Sequence, residues 1–375
     1  MAVETPESTT QGTELPPVVE DLSAYVIAGA VTSDHQDHEY ETVSRTPAQG
    51  IQDGVDAERL GYRRIWLSER CDIKLADVIM SGIAARTTRL EIGAGVVDPT
   101  TRHPWMLAAL GATMHACYGP RFILGLGRGD NGYFRGTGIE MATFEQMSDY
   151  IDICRRLWAG EKITYDGPVG KFDGMSFAET YHGPQPPIWV AGYALPKGAK
   201  LIAEKADGVL LVPMMNPKAV YDAKQRITAA CEKIGRDPDS IRVVALVVTA
   251  PDLADVEARA IAHGRMVTYM TYPGYGEALV AANGWDPKVL DDVRNHKQLA
   301  NLDEVPDRVF QRHQMLDVAA QIPDEYMLDC SAIGSVDECV TSLQRFIDAG
   351  ADEIATYGST PAQNAKLVAA WRDRA

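Results

Sequence analysis

The chain has 375 residues, is 46% hydrophobic and carries a formal net charge of −16 with a pI near 4.9. That much apolar sequence can bury a large core, and the length is ordinary for a (β/α)8 barrel with insertions. The acidity excludes nucleic acid and anionic membrane as expected partners and favours a soluble protein that acts on a small molecule.

Residues 1–21 are polar, acidic and rich in Pro and Thr, and read as a flexible N-terminal arm. Residues 22–375 then alternate strand-like and helix-like segments as one domain. Expected strands are 23–31, 64–68, 90–97, 122–127, 188–191, 208–212, 241–249 and 353–357. Helices are expected over 47–60, stopped by Gly61, and over 74–86, 104–118 with Pro104 at its start, 143–159, 198–206, 218–234, 335–349 and 362–374. Thr143 with Gln146, and Ser335 with Glu338, have the spacing of capping boxes. Residues 163–177 are punctuated by glycine, as in a hairpin. Eight strands interleaved with helices define the expected fold class: α/β, a parallel (β/α)8 TIM barrel with insertions. The regularity breaks over about 263–322, a helical insertion with Tyr269, Tyr272, Tyr275, Trp285 and Phe310. It either walls a pocket or forms a separate helical subcore that covers the barrel or pairs subunits.

The six cysteines are scattered, without a CxxC pair, and read as reduced thiols of a cytoplasmic protein. No apolar run approaches the roughly 20 residues that span a bilayer. The start of the chain has Glu4 and Glu7 and lacks a basic region followed by an apolar one, so no signal peptide is expected.

Chemistry is expected where apolar runs break into glycine and charge. LGLGRGDNGYF (124–134) ends a strand and releases Arg128 and Asp130 into a turn; GAGVV (93–97) brings glycine backbone to a strand end; WVAGYALPKG (189–198) stops at Gly192 just before a helix. A free helix N-terminus there suits phosphate. DHQDHE (34–39) has two histidines and three carboxylates, but no second His or Cys cluster frames it, so metal binding is not expected. A solvated loop is the preferred reading, with His38 a reserve candidate for proton transfer.

Four anchors, IWLSERCD (65–72), GAGVVDPTTRHPW (93–105), LGLGRGD (124–130) and WVAGYALPKGAKLIAEKADGVLL (189–211), resemble in order and spacing the bacterial luciferase-like superfamily, and most of all its coenzyme F420-dependent oxidoreductase branch. The resemblance covers roughly 23–357 and implies a barrel enzyme that binds F420 at the C-terminal face and forms a homodimer, the family's common form. It implies hydride transfer between C5 of the deazaflavin and an organic substrate. FMN, in a luciferase-like monooxygenase, is the alternative cofactor, and a non-catalytic flavin-binding barrel subunit is the alternative class.

By match, Gly95–Val96 is the non-prolyl cis peptide behind the central ring of the cofactor; without the resemblance these residues read as a plain packed strand. Gly127, Arg128 and Gly129 are implied cofactor contacts, with Arg128 meeting a phosphate or carboxylate, or else a surface salt bridge. Gly192, Tyr193 and Ala194 are implied to hold the cofactor phosphate. Many F420-dependent relatives carry an Asp-His pair where this chain has Glu69 and Arg70, and Arg is not a general acid near neutral pH. Arg70 is left to orient an anionic or carbonyl substrate, or to pair with Glu69 or Asp72. Glu69, His103 and Asp130 are the proton-handling candidates. The competing readings are a loop cap for Asp130 and a helix N-terminal residue for His103.

Overall fold

Eight parallel strands close on themselves in the computed structural model, which describes residues 15–26, 45–302 and 304–374. In chain order the strands are β1 (Val19–Val26), β2 (Tyr62–Leu67), β3 (Glu91–Ala94), β4 (Phe122–Leu126), β5 (Ile163–Gly167), β6 (Gly170–Met175), β7 (Ile188–Gly192), β8 (Gly208–Leu211), β9 (Arg242–Pro251), β10 (Ser331–Gly334) and β11 (Glu353–Gly358). The barrel runs β1-β2-β3-β4-β7-β8-β9-β11 and returns to β1, every pair parallel. These are the eight strands expected from the sequence. The expected hairpin is β5 against β6, antiparallel. The short β10 extends β9 beyond the barrel and was not expected.

Both faces of the strands are buried, so they read as continuous apolar runs. The alternation appears in what each residue packs against. Leu22, Ala24, Ile65, Leu67, Ile92, Leu124, Ile188, Val190, Val209, Val243 and Ile354 face the helical layer. Tyr25, Trp66, Ile123, Trp189, Leu210, Val244, Leu246, Val248, Ala355 and Tyr357 fill the interior. Trp66 and Trp189 lie 5.1 Å apart, ring centre to ring centre. Gly93 and Gly208 make room for them: a Cβ on either would stand within 2.3 Å and 2.5 Å of an indole ring. At the N-terminal end of the interior, Arg64 bridges Glu353 and Glu91 at 3.1 and 2.7 Å.

Helix ends follow the local chemistry. The first helix spans Pro47–Leu60, with a Thr46–Gln49 capping box and Gly61 left-handed at φ 87°. The expected boxes at Thr143–Gln146 and Ser335–Glu338 both form. The helix Pro104–Tyr118 has the expected bounds, whereas the helix expected over 74–86 is shorter, Ala76–Ala84, because Arg70 to Lys74 form a turned loop.

Other boundaries differ as well; β3 ends at Ala94 rather than at Val97. β1 starts at Val19, inside the stretch read as an arm, because Val19 already donates to Gly61 O (2.8 Å). Residues 27–31 of the first expected strand, and DHQDHE with His38, lie outside the described residues. The helical insertion is longer than expected, running from Asp255–Arg259 to Asp324–Cys330. Its apolar side chains, among them Ile261, Met266, Met270, Leu279, Val293 and Met315, form one cluster with the barrel interior. The insertion is therefore a lid on the barrel core.

Candidate active site

The C-terminal ends of β2, β3 and β4 are knitted together past the last strand residue. Gly95 N donates to Leu67 O (2.8 Å), Glu69 N to Val96 O (2.9 Å), Val97 N to Gly125 O (2.9 Å) and Gly127 N to Val97 O (3.1 Å). The Gly95–Val96 peptide is cis, and the Tyr25 hydroxyl donates to Gly95 O from β1. Gly127 and Gly129 lie against this bulge. A Cβ on Gly127 would meet Val96 Cγ2 at 2.3 Å, and Gly129 is left-handed at φ 78°. β4 and β7 are neighbours in parallel register, Leu124 beside Ile188 and Leu126 beside Val190, so the LGLGRGD and WVAGYAL loops open on the same face.

The third loop is Gly192, Tyr193 and Ala194. Ala194 is left-handed at φ 48°, a conformation non-glycine residues adopt at a cost of about 1–3 kcal/mol. Arg226 Nε donates to Ala194 O (2.8 Å) and holds the turn from the helix Pro217–Lys233. The next helix, Pro196–Lys205, has Leu195 at its N-cap and no side-chain cap, leaving first-turn N–H groups open toward an anion. Arg128 donates to Ala142 O (2.6 Å), stacks over Phe144 at 4.4 Å, and has no carboxylate partner among the described residues.

The proton-handling candidates are arranged unequally. Glu69 is clamped by both terminal nitrogens of Arg102, which also bonds Asp77 at 3.1 Å; the Glu69 side chain is 1% exposed. Asp130 accepts from Gly132 N (2.7 Å) as N-cap of the short helix Asn131–Phe134, the cap reading of the sequence. Burial nonetheless raises its carboxyl above the ordinary value. His103 is the N-cap of Pro104–Tyr118: Nδ1 accepts from Trp105 N (3.2 Å), and the exposed ring meets Phe172 of the hairpin at 4.9 Å. It does not join the cluster.

Asp98 is a residue the sequence reading missed. It follows the Gly95–Val96 bulge and lies beside Gly127 and Gly129. Burial, with Glu69 and Asp130 adding like charge, pushes its carboxyl up to about 7. The sequence carried a signal in GAGVVDP, an acid directly after a glycine-rich strand end.

Arg70 pairs with Asp72 (2.9 Å), as one reading had it, and also with Asp307 of the insertion (3.0 Å). Asp307 Oδ2 accepts from Arg265 (3.0 Å) and Tyr133 OH (3.0 Å) as well. Arg265 Nε donates to Tyr357 OH (2.9 Å), Tyr269 OH stands 3.3 Å from the same hydroxyl, and the Tyr357 ring meets Tyr25 edge-on at 5.0 Å. Burial opposes ionisation of Tyr357, but Arg265 and Arg312 outweigh it and hold the phenol below its ordinary value. The insertion thus both forms a subcore and walls the mouth. The groove lined by Val19, Glu20, Arg345 and Arg372 lies at the opposite, N-terminal end of β1. Among the described residues no His, Cys, Asp and Glu group has metal-site geometry, all six cysteines are free, and no helix is long and apolar enough to cross a membrane.

A parallel (β/α)8 barrel with glycine-rich strand ends converging on one face is the scaffold of a cofactor-binding α/β barrel protein. The chain belongs to the luciferase-like monooxygenase family, whose profile matches residues 28–353. It is 26% identical over 302 residues to the 5,10-methylenetetrahydromethanopterin reductase of Methanolobus tindarius, covering 80% of this chain and 86% of that one. Its fold is similar to that of the coenzyme F420 dependent tetrahydromethanopterin reductase from Methanopyrus kandleri, with a TM-score of 0.74, 18% identity, and 94% and 97% of the two chains covered. It is also similar to an F420-dependent secondary alcohol dehydrogenase in complex with an F420-acetone adduct, with a TM-score of 0.70, 16% identity, and 94% and 99% covered.

Proposed function

We propose that the protein is a coenzyme F420-dependent oxidoreductase, transferring hydride between C5 of the deazaflavin and a small organic substrate at the C-terminal mouth of the barrel. The observation that carries the reading is the convergence of three backbone-rich strand ends, Gly95–Val96, Gly127–Gly129 and Gly192–Ala194, on one face beside an uncapped helix N-terminus. Backbone N–H groups and glycine surfaces suit a flat, phosphorylated ligand. The F420 dependence named for the similar reductase and dehydrogenase supports the choice of cofactor.

In this reading Gly95, Val96, Gly127 and Gly129 back the ring, while Gly192, Tyr193, Ala194 and Arg128 receive the phosphate and the acidic tail. F420, when bound, would supply the redox chemistry, its reduced form giving a hydride and its oxidised form taking one. The chain orients the substrate through Arg70, excludes water with the insertion, and handles the proton at Asp98, whose carboxyl burial and like charge push up to about 7, or at Asp130, whose carboxyl burial raises above the ordinary value. Glu69, locked to Arg102, keeps the β2 and β3 ends in place.

Titration of the purified protein with F420 and, separately, with FMN tests the cofactor. Tight F420 binding with weak FMN binding is expected; the reverse assigns the chain to the FMN monooxygenases. Bleaching of the reduced cofactor across carbonyl and enoyl compounds separates an enzyme from a binding subunit.

We further place the protein in the cytoplasm as a homodimer. Leu75, Val78, Trp105 and Met106 are 53%, 67%, 46% and 61% exposed on or beside Ala76–Ala84 and Pro104–Tyr118. Four large apolar side chains on two helices support a second copy as their cover.

A further inference from the structure

Between the β2 end and the insertion, positive charge is gathered without matching negative charge. Five cations, Arg70, Lys74, Arg265, Arg308 and Arg312, face three carboxylates, Asp72, Asp307 and the exposed Glu304. Arg308 is satisfied by Asp72 at 3.0 Å and by exposed Glu304 at 3.3 Å. Arg70 and Arg265 both lean on the single Oδ2 atom of Asp307. Two cations are left over. Among the described residues, Lys74 is 8% exposed and its ammonium has neither an ion pair nor a side-chain hydrogen bond, and Arg312 has a buried Nη1 with no hydrogen-bond partner.

A largely buried ammonium that has no ion pair of its own, and that shares the fields of Asp72 and Asp307 with the arginines already paired to them, is costly unless a ligand supplies further negative charge. The turned loop from Arg70 to Lys74, closed by Ile73 N and Lys74 N on Arg70 O at 2.7 and 2.6 Å, fixes the stem of the lysine. Burial, with Arg70 and Arg265 adding like charge, pulls the Lys74 ammonium down to about 8. The cluster adjoins the ring site through Arg265, Tyr357 and Tyr25, which reaches Gly95 O. It is a different surface from the Gly192–Ala194 loop.

We propose that Lys74, with Arg70, Arg265 and Arg312, binds a carboxylate or phosphate group of the substrate, so that the enzyme acts on an anionic compound. The assignment to substrate rests on the F420 reading; the anion site itself does not. The anionic tail of F420 has the same chemistry and is the other source to be separated.

The test uses the full-length protein and sulfate, whose charge is constant over the pH range of interest. Calorimetric titration at low ionic strength should show saturable sulfate binding that weakens as pH rises through about 8. Lys74→Met should weaken it about tenfold or more, the loss of one charge-assisted contact, and Lys74→Arg should restore most of it. Lys200→Met, at a surface lysine paired with Glu204, should leave it unchanged. Circular dichroism melting of the variants checks folding, and sulfate protection of Lys74 from acetic anhydride, read by peptide mass, gives an account of the wild-type protein without substitution. Absence of sulfate binding, or equal binding by Lys74→Met, overturns the site. If sulfate still binds to the F420-loaded protein and Lys74→Met binds F420 normally, the substrate assignment holds. If F420 displaces sulfate and Lys74→Met loses F420, the group belongs to the cofactor tail and the substrate assignment falls. Sulfate binding with no F420 affinity upholds the anion site while the cofactor reading fails.

Discussion

Replacing Asp98 by Asn should flatten the pH dependence of stability. The Asp98 carboxyl moves from an ordinary 3.8 to about 7 in the fold, because burial comes first and the neighbouring Glu69 and Asp130 add to it, against Arg102. A raised folded value means that folding favours the protonated form. The stabilisation is therefore complete below the unfolded value and is lost as pH rises toward 7, at a slope of about 1.4 kcal/mol per pH unit. Integrated from pH 5 to 8, the single group removes about 2.5 kcal/mol from the wild-type protein. Asn keeps the shape and cannot ionise. Urea denaturation of wild type and Asp98→Asn, compared at pH 5, 6, 7 and 8, should show the variant gaining on the wild type by about that amount. Curves that stay parallel across the range, or a variant that loses ground as pH rises, would refute the account of Asp98 as a neutral buried acid.

Arg102→Ala should destabilise the protein by about 3–5 kcal/mol by stranding the buried Glu69, and the Glu69→Met, Arg102→Met pair should recover most of the loss in the same urea assay. Gly127→Ala sets a Cβ 2.3 Å from Val96 Cγ2 and should cost about 1–3 kcal/mol, with F420 affinity falling alongside the melting temperature; unchanged F420 affinity would remove Gly127 from the cofactor wall. Val78→Asp with Met106→Asp should shift the protein from dimer to monomer in sedimentation, and a monomeric wild type would dismiss the proposed interface.

The barrel was legible because its signals are local. Each strand is an apolar run bounded by turn residues, and each helix carries its own start and stop. Thr143 with Gln146 and Gly61 after Leu60 could be read without knowing what they pack against. β10 was not legible, since Ser331–Gly334 is four residues long and pairs only with the overhanging end of β9. The insertion showed its aromatic residues but not its job. Tyr269 reaches Tyr357 across 88 positions and Asp307 reaches Arg70 across 237, and no periodicity encodes such meetings.

The same distinction explains which site residues emerged. Glycine-rich strand ends advertise themselves in sequence because close backbone approach needs a particular residue type. Titratable groups do not, because their behaviour depends on what surrounds them in space. His103 has the side chain associated with proton transfer and is spent on a helix cap. Asp98 looks like an ordinary loop acid and is pushed up to about 7 by burial and by two other carboxylates. Lys74, in an undistinguished loop, is a largely buried amine with no ion pair among the described residues. The charge around Lys74 is set by assembly of the insertion onto the β2 end, so substitutions at Asp307 or Arg265 should change how Lys74 titrates even though neither is its neighbour in sequence.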